Sequence, residues 1–73
     1  MKIFKSKKLN FGLTSEECKV LNLMKAGYSN LQIAIELKIS EDSVKTHIRE
    51  IFSKLKTFNR IQVVTKTIKE KII

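Results

Sequence analysis

This sequence predicts an all-α fold, a four-helix bundle containing a helix-turn-helix, on three observations. Four helix starts can be read from capping chemistry, each followed by apolar residues at helical spacing. Breakers are few, with no proline and only Gly12 and Gly27. There is no strand signal, because Val63-Val64 is too short and sits inside a helical repeat.

Thr14 and Glu17 form a capping box, with Leu13 and Cys18 as its hydrophobic staple, and open a helix over about residues 15–26. Gly27 suits the left-handed residue that ends it. Ser29 and Gln32 repeat the box, stapled by Tyr28 and Ile33, for a second helix over 30–37. Ile33, Ala34 and Leu37 share one face, and small Ala34 lets another helix cross closely. Ser40 caps a third helix over 41–56, with Glu41 and Asp42 favourable to its dipole and Ile39 stapled to Val44. The link Lys38-Ile39-Ser40 has the length of a helix-turn-helix turn. Asn59 and Gln62, stapled by Phe58 and Val63, open a fourth helix over 60–71. Ile61, Val64, Ile68 and Ile72 form its stripe, and Val63 opens a second apolar face. Such a helix has one side for the core and one to spare, for a dimer contact or simply an oily surface.

The third helix is the most informative. At 100° per residue, Val44, Ile51, Phe52 and Leu55 lie within about 60° of Ile48, which makes a tight buried stripe. Lys45, Thr46, Arg49, Ser53 and Lys56 occupy one flank, and Ser43, His47, Glu50 and Lys54 the other. Formal charge is +8 and uneven: +4 over residues 1–12, −2 over 13–42, +4 over 43–60 and +2 over 61–73. A basic balance concentrated on one helix and both ends favours a polyanion, and an exposed basic rod behind a capped turn fits the major groove. Lys45 and Arg49, a turn apart, would donate to guanine O6 and N7, and the Thr46 methyl would meet thymine. Ser29, Asn30 and the start of the second helix offer donors to a phosphate.

Other classes are poorly served. The 73 residues allow one small domain, residues 13–73, behind a basic arm, residues 1–12. No apolar run approaches a membrane span or a signal-peptide core, so a cytoplasmic protein without membrane contact is expected. Cys18 stands alone without clustered histidines, so neither a metal nor another cofactor is expected. Glu17, among Val20, Leu21 and Met24, is better explained by capping and an ion pair with Arg60 than by catalysis. An enzyme is not expected. For His47, a phosphate or side-chain contact ranks above metal, beside a purely structural role.

Leu13-Thr14, Glu17, Val20-Leu21, Gly27, Ser29-Asn30, Ile33-Ala34, Leu37, Ile39-Ser40, Ser43-Val44-Lys45, His47, Lys54-Leu55, Asn59-Arg60 and Gln62 together resemble the LuxR-type helix-turn-helix domain. That family includes quorum-sensing activators, DNA-binding halves of NarL-type response regulators and small regulators of spore formation. The resemblance covers roughly residues 13–68. It implies a bacterial transcription regulator that binds double-stranded DNA as a homodimer, often working through RNA polymerase. On matching positions it implies base-facing roles for Val44, Lys45, Thr46 and Arg49, and phosphate contacts from Ser29, Asn30, Ser43, His47 and Lys54. It also implies dimerisation through the fourth helix, here at Val63, Ile68 and Ile72.

Departures are visible. Leu31 stands where the family commonly has lysine, and Glu16 and Lys19 invert frequent charges of the first helix. Leu31 pairs with Ile35 on the face opposite Ile33 and Leu37, a pair expected to be covered by Ile3, Phe4, Leu9 or Phe11 of the arm, or by a partner protein. Two alternatives stay open: a sigma-factor-like promoter-binding domain, and an interaction module that binds another regulator or polymerase. Met1 and the lysine-rich arm fit a stand-alone regulator, as they would an excised domain.

Overall fold

The computed structural model describes residues 11–72 and holds four helices: α1 (Ser15–Lys25), α2 (Asn30–Leu37), α3 (Glu41–Leu55) and α4 (Arg60–Lys69). Among the described residues there is no strand. Each helix begins where a side chain meets otherwise unpaired backbone N–H groups. Thr14 and Glu17 close their box in both directions, Glu17 N donating to Thr14 Oγ1 at 3.1 Å and Thr14 N to Glu17 Oε1 at 3.0 Å. Ser29 and Gln32 do the same at 3.1 and 2.8 Å. Ser40 Oγ accepts from Ser43 N at 3.0 Å, and Asn59 Oδ1 from Gln62 N at 2.9 Å. The fourth start differs from a reciprocal box, because Gln62 Oε1 takes the N–H of Phe58 instead. The Phe58 ring is 85% exposed, so the expected staple to Val63 does not form.

α2 ends at Leu37 as the periodicity suggests, whereas α1, α3 and α4 stop a residue or two earlier. Gly27 follows α1 at φ +95°, as its sequence position implies. The ends of α2 and α3 rest on lysines: Lys38 at φ 58° and Lys56 at φ 55° are left-handed, each donating its N–H back into the last turn. No glycine marks these two ends; the turn after α2 was legible only from the length of the Lys38-Ile39-Ser40 link.

α3 is the central element. α1 and α2 both pack on it, and α4 lies against α1 and α3. The core is apolar: Val20, Leu21 and Met24 of α1, Ile33 and Ala34 of α2, Val44, Ile48, Ile51 and Leu55 of α3, and Val63 of α4 are buried. Burying branched side chains of this size contributes about 1.5–3 kcal/mol each, and this stripe fixes which flank of α3 faces outward. On α4 the residues expected at a dimer contact divide. Val63 and Thr67 are fully buried, whereas Ile61 and Ile68 are 78% and 59% exposed. Val63 is therefore a core residue and is not open to a second chain. Ile72 is half-buried and packs against the core. Thr67 satisfies its buried hydroxyl by donating to Val63 O at 2.7 Å.

Candidate nucleic-acid interface

With Ile48 and Ile51 anchored inward, Lys45, Thr46 and Arg49 emerge exposed on the outer flank of α3. Neither Lys45 nor Arg49 forms an ion pair among the described residues. The two cations flank a shallow open hollow, lined also by Asn30, Ile48 and Phe52, so the start of α2 and the middle of α3 share one concave surface. Val44 does not belong to this surface. It is fully buried, because its place on the helix points it at the core and leaves no methyl group to reach a base.

The residues expected at phosphates divide. Ser29 is exposed, and its hydroxyl accepts the Gln32 N–H while keeping its own proton to donate. Ser43, half-buried, accepts from Ser40 Oγ at 3.0 Å. Asn30 Oδ1 accepts from Arg60 Nη1 at 2.8 Å. Since a guanidinium only donates, that contact leaves the Asn30 amide NH2 group for other partners. Arg60 also donates through Nη2 to Tyr28 O, so it ties the start of α4 to the link before α2.

Arg60 was expected to pair with Glu17, but Lys54 takes that place. Lys54 Nζ lies 2.7 Å from Glu17 Oε1 and 3.1 Å from Gly12 O, with the Glu17 side chain 2% and the Lys54 side chain 32% exposed. Burial pushes the Glu17 carboxyl up, yet hydrogen bonds from Lys54 and the Thr14 backbone outweigh it and hold the group below its ordinary value. Two of the three ammonium donors of Lys54 are thus committed within the protein. Its first role is to bind α3 to α1, which leaves at most one donor for a phosphate. His47 is half-buried on the same flank, within 4.8 Å of carboxylate oxygens of Glu17 and Glu50. Two carboxylates there oppose a phosphate. Sequence spacing held no signal for this cluster, because Glu17 and His47 meet only through the packing of α1 on α3.

The apolar pair on α2 is exposed as expected, Leu31 by 56% and Ile35 by 68%. Phe11 does not cover it: its ring lies beneath the Lys66 ammonium of α4, with Nζ 5.6 Å from the ring centre. Ile3, Phe4 and Leu9 fall outside the described residues. On α4, Arg60, Ile61, Val64 and Thr65 line a second shallow hollow.

Comparison with known proteins gives a consistent result. The family profile for bacterial regulatory proteins of the luxR family matches residues 12–67. The transcriptional regulatory protein DegU of Brevibacillus brevis is 47% identical over 57 residues, covering 78% of this chain and 24% of that protein. The HTH-type transcriptional regulator AlkS of Ectopseudomonas oleovorans is 41% identical over 61 residues, 84% of this chain and 7% of that protein. The HTH-type transcriptional regulator MalT of Vibrio cholerae is 46% identical over 52 residues, 71% of this chain and 6% of that protein. The crystal structure of response regulator ChrA, from a heme-sensing two-component system, superposes with a TM-score of 0.81 at 39% identity, over 85% of this chain and 31% of that one. The chain therefore spans a quarter or less of the length of these curated relatives.

Proposed function

Since the chain belongs to the luxR family of bacterial regulatory proteins, we propose that it is a sequence-specific regulator of transcription that binds double-stranded DNA as a dimer, with α3 in the major groove. One observation carries this reading. Lys45 and Arg49 stand exposed and, among the described residues, unpaired, one turn apart, on a helix held from behind by α1 and α2. Cations left uncompensated in this way are free to give their donors to base edges, with Arg49 or Lys45 on guanine and the Thr46 methyl on thymine. Ser29, Asn30 and Ser43 supply backbone contacts, and Lys54 contributes its remaining donor. Val44 and His47 take no part.

The dimer forms through the outer face of α4, Ile61, Val64 and Ile68, since Val63 is spent on the core. Work on DNA sets the protein in the cytoplasm, with RNA polymerase as a further partner. Fluorescence anisotropy on a random duplex across a salt series tests the binding. Affinity falls steeply with salt, by a slope of roughly −0.9 for each phosphate contacted. Selection from a random duplex pool then returns an inverted repeat. Absence of binding at about 50 mM salt overturns the proposal and favours a second reading supported by exposed Leu31 and Ile35, a module that docks on another regulator or polymerase.

A further inference from the structure

Glu17 of α1 and His47 and Glu50 of α3 meet on the other flank of α3 from Lys45 and Arg49. Each brings one ligand-type atom within 4.8 Å of the other two. We propose that these three side chains form a site for a zinc-class divalent metal ion that clasps α1 to α3. His47 and Glu50 are three residues apart on one helix, so they project side by side from successive turns. Ligand atoms around a tetrahedral zinc stand about 3.4 Å apart, so the three side chains close inward from the observed spacing when the ion binds. Glu50, exposed, already lies against the Glu17 carboxyl.

Two further features fit a cation. Among the described residues His47 Nδ1 is buried with no hydrogen-bond partner, beside the Glu17 and Glu50 carboxylates, while the Lys54 ammonium reaches the same cluster through Glu17 Oε1. Glu17 already has the outer support that ligating carboxylates use: Lys54 Nζ and Thr14 N both donate to its Oε1 and fix its orientation. Two carboxylates exclude an anion, and the imidazole selects a zinc-class ion over calcium or magnesium. Water completes the coordination. The expectation of no metal rested on the lone cysteine and the absence of clustered histidines, and a ligand 30 positions from His47 escapes that kind of search.

The site is tested without DNA, so its failure and that of the DNA reading are separate. Zinc chloride, and cobalt chloride as a spectroscopic probe, are titrated into the full chain by calorimetry and visible absorption at neutral pH. One equivalent binds, shows tetrahedral cobalt bands without thiolate charge transfer, and raises Tm. His47→Gln and Glu50→Gln each weaken binding by more than about 100-fold, above the cost of losing an outer-shell partner. Cys18→Ser leaves it unchanged. Because Glu50 is exposed, Glu50→Gln keeps the fold intact and circular dichroism checks this. Absence of binding, binding that survives both ligand variants, or binding lost in Cys18→Ser overturns the proposal.

Discussion

Replacing Lys54 by Met should destabilise the domain far more than removal of an ordinary surface lysine. The aliphatic stem is kept, so the change isolates the ammonium. Glu17 is 1% exposed, and its Oε1 would retain only the Thr14 N–H of its two donors. Breaking a buried pair by removing one partner costs about 3–5 kcal/mol. Lys54 is 32% exposed, so solvent screening reduces that figure. A ceiling follows from protonation. From an ordinary value near 4.5, neutralising Glu17 at pH 7 costs about 3.4 kcal/mol, beyond which the carboxyl takes up a proton. The lost bond to Gly12 O adds about 1 kcal/mol at most, because that carbonyl is exposed. We expect a loss of about 2–3 kcal/mol at pH 7, equivalent to roughly 8–24 °C in Tm for a domain of this size.

The pH profile makes this specific. The folded-state pKa of Glu17 is depressed, so its stabilisation is present above about 4.5 and lost as pH falls through the folded value. Without Lys54, burial raises that pKa, so the variant loses nothing on acidification. The gap between the two proteins therefore narrows below pH 4.5 to what the Gly12 bond contributes, which urea titrations at pH 7 and in the acid range would show. A double-mutant cycle with Glu17→Gln should give a coupling of at least about 1.5 kcal/mol. A loss under about 0.5 kcal/mol at pH 7, or a gap in acid as large as the gap at pH 7, would refute the reasoning.

Further outcomes follow from other parts of the molecule. Arg49→Ala should cost about 1–3 kcal/mol in DNA binding and relax preference at one base pair, measured by competition among single-position operator variants. An unchanged preference would remove α3 from the groove. Lys38→Gly and Lys56→Gly should each stabilise the fold by about 0.5–1 kcal/mol, since the left-handed conformation strains a side chain by more than glycine loses in unfolded-state entropy. Denaturant midpoints decide this. Ile61→Ser combined with Ile68→Ser should shift stability by under about 0.5 kcal/mol because both are exposed, yet weaken assembly on DNA, as read by sedimentation. Full retention of the dimer would assign the interface elsewhere.

Much of this architecture was legible in the chain because helix starts are local events. A Ser, Thr or Asn three positions before a Glu or Gln can be recognised without its neighbours in space, and all four N-caps fall at the expected residues. The inward stripe of α3 was legible for the same reason, and with it the exposure of Lys45, Thr46 and Arg49 on the opposite flank. Periodicity was weaker on α4, where apolar residues cover two faces. Nothing local separates Val63 from Ile61, and only contact with α1 and α3 buries the one and exposes the other.

The sequence alone determined the number, order and starts of the helices and the flank of α3 that carries unpaired charge, because capping and amphipathic spacing act within a few residues. Tertiary structure alone decided the partners of long polar side chains. Lys54 rather than Arg60 reaches Glu17, Arg60 turns to Tyr28 and Asn30, and His47 comes to rest between carboxylates from two helices. Charge and spacing permit many such pairings across 30 or more positions, and the relative placement of packed helices selects one.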